Sequence, residues 1–144
     1  MTKILFGLAA VVAGAAAVFQ AAANAGLASR IGLGAALVVN TSIVLLGTLV
    51  LYVAGGPSGT FFPSDAPWSL YIGGVCGFVL LLSLAFVFPK IGATVAIGLV
   101  VLGQGAAALA IDHFGLLGMP AEPITLVRVA GMLLVGAGLV LVRG

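Results

Sequence analysis

Polar side chains fall along this chain in narrow bands separated by long apolar runs. The first run, residues 4–19, holds no polar side chain over sixteen positions. A membrane-spanning helix needs about 20 mainly apolar residues at about 1.5 Å of rise each. Five segments meet that requirement: about 4–27, 31–53, 70–88, 91–111 and 124–142. The bands between them read as turns. "GLASRIG" joins the first two spans with Arg30 at the interface, and "AGGPSGTFFPSDAPW" is the one long loop, dense in Gly and Pro. Trp68 and Tyr71 close that loop as interfacial aromatics. In "FPKIG", Pro89 is expected to end the third helix and Lys90 to mark the headgroups. In "DHFGLLGMPAEP", Gly115 is placed as a C-terminal cap and Pro123 in the first turn of the last helix. The pattern predicts an all-α integral membrane protein, a bundle of five transmembrane helices forming one domain over residues 1–144.

Composition agrees and narrows the function classes. Hydrophobic residues make up 63% of the chain and charged residues 6%, with a mean hydropathy of +1.41, against about 45–50% and about 25% in soluble domains. The longest stretch outside the spans, residues 55–68, is too short to fold alone. A net charge of +2, spread along the chain, offers no basic patch for nucleic acid. Cys76 is the single cysteine and lies in an apolar run, which excludes an internal disulfide and a CxxC motif and reads as a small core residue. Lys3, the first apolar run and "ANA" at 23–25 resemble a secretory signal, but the run exceeds the usual core of about 7–15 residues, and it is read as the first span. Small residues recur at close-packing spacing in "GGVCG" at 73–77, at Gly92 and Ala96, and at Gly131, Gly136 and Gly138, so a tight bundle is expected.

Five spans put the two ends on opposite faces of the bilayer. One face carries Lys3 and Arg128, the other Arg30, Lys90 and Arg143. Orientation follows Lys/Arg bias in the short loops, and two against three is nearly balanced. Such balance suits a chain that inserts both ways, and equally a weakly biased one with a single orientation.

Gln20 and Asn24 in the first span, Asn40, Ser42 and Thr48 in the second and Gln104 in the fourth are the polar groups that the hydrocarbon must accommodate. Gln20 and Asn24 share a helix face at i, i+4, and Asn40 lies inward from the same short turn. Either the amides lock helices together, at about 0.6 kcal/mol per bond, or they line a polar site. As a set, with Gln104 between two glycines that permit close approach, they are read as a substrate-binding group: Gln20, Asn24, Asn40, Ser42 and Gln104. Ser83 and Thr94 are read as hydroxyls bonded to their own helices. Asp112 ends the fourth helix and Arg128 opens the fifth, each badly placed for the helix dipole unless they pair. They are read as a structural clamp, with proton coupling through Asp112 as the alternative. His113 has no second His or Cys at metal-ligand spacing. No HExxH, GxSxG, P-loop or intramembrane carboxylate pair occurs, so neither enzyme activity nor a metal or cofactor is expected.

The stretch "GQGAAALAIDHFGLLGMP" at 103–120, with Gln104, then Asp112 eight residues on, then His-Phe-Gly and a Gly-x-Pro turn, resembles the YdcZ (DUF606) family, half-size members of the drug/metabolite transporter superfamily. Gln20, Asn24 and Leu27 resemble that family's Q-x-x-x-N-x-x-L, and Asn40, Ser42 and Gly47 its Asn-Ser-Gly run, with Thr41 interposed. "GGVCGFVLLLSLAFVFPKIGATVAIGLVV" follows its third and fourth helices. The resemblance implies a five-helix protein of the bacterial inner membrane, working as a homodimer or beside a similar half-size partner, that exports or exchanges small solutes. The related four-helix multidrug exporters use a carboxylate in their first helix, whereas Lys3 is the only charged residue before Arg30 here. A polar, uncharged or weakly charged metabolite therefore suits the site better than a cation. The expectation is an antiparallel dimer working by alternating access. Its rival is a non-transporting membrane subunit whose amides only lock the packing.

Overall fold

Where the apolar runs break, glycine sets the break. The computed structural model describes residues 2–57, 59 and 61–143; among them there is no strand, and five helices are long and apolar enough to cross a membrane. These are α1 (Thr2–Ile31), α2 (Leu33–Ala54), α3 (Ile72–Ile91), α4 (Ala93–Phe114) and α5 (Leu126–Arg143). α1 continues through the expected "GLASRIG" turn, with the Ser29 hydroxyl donating back to the Gly26 carbonyl at 2.7 Å. It stops at Gly32, whose φ of 86° and ψ of 152° lie in a region almost confined to glycine. One residue suffices for the joint: the Gly32 N–H still donates to Ala28, and its carbonyl accepts from Ala36.

The same device corrects the expected end of α3. Pro89 lies inside that helix rather than ending it, and the break falls at Gly92, with φ 79° and ψ 157°. Pro89 is third from the helix end, so its missing N–H and the crowding of its ring against the Ala85 carbonyl fall on the last turn alone. Arg30-Ile31-Gly32 and Lys90-Ile91-Gly92 are thus the same joint written twice. Each is followed four residues later by a buried alanine, Ala36 and Ala96, whose N–H returns to the joint glycine.

The chain divides into two compact units, Met1–Pro89 and Lys90–Gly144. In the first, α1 and α2 form an antiparallel pair about a seam that buries Ala21, Asn24, Ala36 and Leu37. Small side chains let the two backbones approach. A groove of about 580 Å³ separates α2 from α3, with Gly34, Thr41 and Ser42 on one wall and Phe78 and Leu82 on the other. The long loop is pinned by aromatics: Phe61 packs on Tyr52 with ring centres 5.3 Å apart, Phe62 stacks on Tyr71 at 5.7 Å, and the Tyr71 hydroxyl donates to the Phe61 carbonyl at 3.4 Å. The "GGVCG" stretch departs from expectation. A Cβ built on Gly73, Gly74 or Gly77 would meet nothing within 4 Å, so the GxxxG face of α3 has no neighbour among the described residues.

In the second unit the small residues do pack. α4 and α5 run antiparallel with side chains seated over glycines: a Cβ on Gly98 would lie 2.1 Å from Leu139 Cδ1, one on Gly105 2.6 Å from the Met132 sulfur, and one on Gly136 3.8 Å from Leu102. α4 ends as expected at Gly115, in the left-handed region at φ 59°, with its N–H turned back on the Ile111 and Asp112 carbonyls. α5 opens at Leu126, so Pro123 lies ahead of the helix rather than in its first turn. Thr125 caps it instead, its hydroxyl accepting the Arg128 N–H at 3.3 Å.

Candidate functional site

The antiparallel seam of α1 and α2 gathers three of the five residues expected to bind solute. Gln20 and Asn24 lie one turn apart on α1, and the Gln20 Nε2 donates to Asn40 Oδ1 of α2 at 3.3 Å. Asn24 is only 5% exposed. The amino nitrogens of Asn24 and Asn40 are both buried and have no hydrogen-bond partner among the described residues. Magnitudes separate packing from function. An interhelical bond in a membrane contributes about 0.6 kcal/mol, while a buried donor left unanswered costs about 1–3 kcal/mol. Two unanswered amino groups against one bond make a poor lock.

Ser42 lies elsewhere. Two residues beyond Asn40, it is turned to the other side of α2, where with Thr41 it supplies the hydroxyls of the otherwise apolar α2–α3 groove. Thr41 was not singled out by the sequence reading; the i, i+3, i+4, i+7, i+8 series of groove positions from Gly34 to Ser42 is the signal that would have found it. Gln104 belongs to the second unit and is exposed on α4, while Gly105 beside it faces Met132. Thr48 donates back to the Leu45 carbonyl of its own helix at 2.9 Å.

Asp112 and Arg128 meet over the α4–α5 connection. The Arg128 guanidinium donates to Asp112 Oδ2 at 3.3 Å and, through its other terminal nitrogen, to Glu122. Glu122 is a partner that sequence reasoning missed. Its N–H also donates to the Asp112 carbonyl at 2.7 Å, which folds the connection back onto the end of α4. His113 adds a third tie, Nδ1 accepting the Ile124 N–H at 3.4 Å. Below the ion pair, a shallow cleft of about 420 Å³ runs between α4 and α5 over Gly105 and Gly131. Among the described residues, no group of three or more His, Cys, Asp or Glu side chains could hold a metal ion.

Five apolar helices, with amides and hydroxyls but no acid along the first three, define a multi-pass membrane protein with a neutral polar seam. The family model described as "Putative inner membrane exporter, YdcZ" matches residues 5–141. The chain belongs to the YdcZ family, as a five-helix, half-size member residing in the inner membrane. That family is one of membrane exporters, not of enzymes, and its role implies a small-molecule solute. No curated protein and no solved structure matches the chain.

Proposed function

We propose that this protein exports a small polar or amphipathic solute by alternating access as an antiparallel dimer, with Gln20, Asn24, Asn40, Ser42 and Gln104 lining the path. The observation that carries the reading is Asn24, nearly fully buried with its amino group unanswered. Helix arithmetic supports the dimer. Gln20 lies eleven residues before the end of α1 and Gln104 ten before the end of α4, so each sits roughly 15–17 Å inside its own helix end. Those ends belong to opposite faces in a five-span chain. Inverting one copy brings Gln20 of one protomer level with Gln104 of its partner, the inverted-repeat arrangement that alternating access commonly uses. The Asp112–Arg128 pair clamps the α4–α5 connection in this reading, with a proton-carrying Asp112 as its alternative.

The rival, a non-transporting subunit held by its amides, draws on the Gln20–Asn40 bond. Reconstituted protein separates the two. Under the export reading, Asn24→Leu and Asn40→Leu abolish solute flux in liposomes while folding survives; under the rival they unfold or dissociate the protein. The dimer has its own test. In a Cys76→Ala background, one chain with Gln20→Cys and another with Gln104→Cys should cross-link through a short bifunctional reagent. If only same-residue pairs near the chain ends cross-link, the subunits are parallel.

A further inference from the structure

The fully buried unanswered side-chain atoms of the seam are both amide nitrogens. Asn40 has its oxygen occupied by Gln20 and its amino group free; the Asn24 amino group is likewise free, on a side chain that is nearly fully buried. What these two buried donors lack is an acceptor. The seam also lacks charge: along α1, α2 and α3 the charged side chains Lys3, Arg30 and Lys90 lie at helix ends, and Asp65 lies in the loop.

From these observations we infer that the seam recognises an uncharged solute through its acceptor oxygens, with Asn24 as the specificity-determining donor; this rests on the export reading above. A cation gains nothing from amino hydrogens and finds no carboxylate along these helices. An anion would be bound by donors but left without a countercharge in low dielectric, which is strongly unfavourable. A neutral carbonyl- or hydroxyl-bearing molecule needs neither. The spacing adds a second constraint. Asn24 lies eight residues before the Gly32 joint and Asn40 eight residues after it, each about 12 Å along its helix. The two buried donors thus lie at similar depth, where two acceptor oxygens on one small molecule, as in a polyol, a sugar or an N-acetylated sugar, can meet both. The solute replaces with its oxygens the partners that the folded chain does not provide.

The test follows counterflow of radiolabelled mannitol, N-acetylglucosamine and tetraphenylphosphonium in proteoliposomes, with thermal unfolding against each compound in parallel. Wild type should carry at least one of the two neutral solutes and not the cation. Asn24→Leu should lose at least about tenfold of that flux, the equivalent of one hydrogen bond of about 1.4 kcal/mol, with unfolding temperature unchanged or raised. Asn24→Asp keeps the shape, replaces the donor by an anionic acceptor, and should exchange neutral solute for tetraphenylphosphonium. If either variant fails to fold, Asn40→Leu and Asn40→Asp, at a less buried position, give the same readout. Transport of the cation and neither neutral solute by wild type leaves export standing and overturns the donor site. Stabilisation by a neutral solute, lost in Asn24→Leu but without flux, leaves the donor site standing and overturns export. No binding and no flux of any of the three overturns both.

Discussion

The Asn24 amino group lacks a partner and Arg128 has two, and substitutions should read that difference. Replacing Asn24 by Leu removes a buried, unanswered donor, so the protein should be no less stable and up to about 1–3 kcal/mol more stable, while flux is lost. A loss of stability with flux retained would make Asn24 a packing residue. Arg128 has two carboxylate partners, 42% and 57% exposed, where each pair contributes about 0–1 kcal/mol. Asp112→Asn should therefore cost no more than about 1 kcal/mol, because Glu122 still holds the guanidinium. Arg128→Gln should cost more, since it leaves two carboxylates facing each other. A double-mutant cycle between positions 112 and 128, read by thermal unfolding, reports the coupling. The amides were legible in the sequence because few other polar groups break the apolar runs. Which of their atoms go unanswered was not, since that depends on the register of α1 against α2. Glu122 escaped notice for a similar reason: its bond to Arg128 exists only once the connection folds back.

Among the helices, the glycines divide by what faces them. A Cβ at Gly98 meets both the Cδ1 and the Cγ of Leu139, at 2.1 and 3.2 Å, and the leucine must move as a whole. At Gly105 it meets only the flexible end of Met132. Gly98→Ala should thus destabilise the α4–α5 pair by about 1–3 kcal/mol, and Gly105→Ala by clearly less; equal effects would mean that Leu139 swings away freely. Gly32→Ala and Gly92→Ala act on the backbone instead and should each cost about 1–3 kcal/mol, measured by unfolding in detergent. Span number and rough position followed directly from hydropathy. The joints did not, because Pro89 and the Ser-Arg turn carry stronger textual signals than a lone glycine. The repeated basic-Ile-Gly, sixty residues apart, was the cue.

For the molecule as a whole, the bare glycine face of α3 and the near-balanced basic residues belong to one question, whether the proposed second copy packs there. If Gly73 and Gly77 face another protomer, Gly73→Leu with Gly77→Leu should dissociate the assembly while leaving each chain folded, because none of the described residues lies within 4 Å of a Cβ at those positions. Intact assemblies on native gels would place the contact elsewhere. Fusion reporters at the C-terminus should detect both orientations, and one or two lysines added beside Arg143 should drive that end inside. A single orientation in the unmodified chain would leave a parallel dimer, a monomer or a separate, oppositely facing partner. Helix length adds a demand of another kind. α1 has 30 residues and α5 has 18, about 45 Å and about 27 Å of rise, against a hydrocarbon layer of about 30 Å. A bilayer thin enough for α5 forces α1 to lean or emerge, and a thick one stretches past α5. Lipid acyl-chain length thereby becomes a control on how steeply α1 inclines, and with it on how the α1–α2 seam is presented to either leaflet.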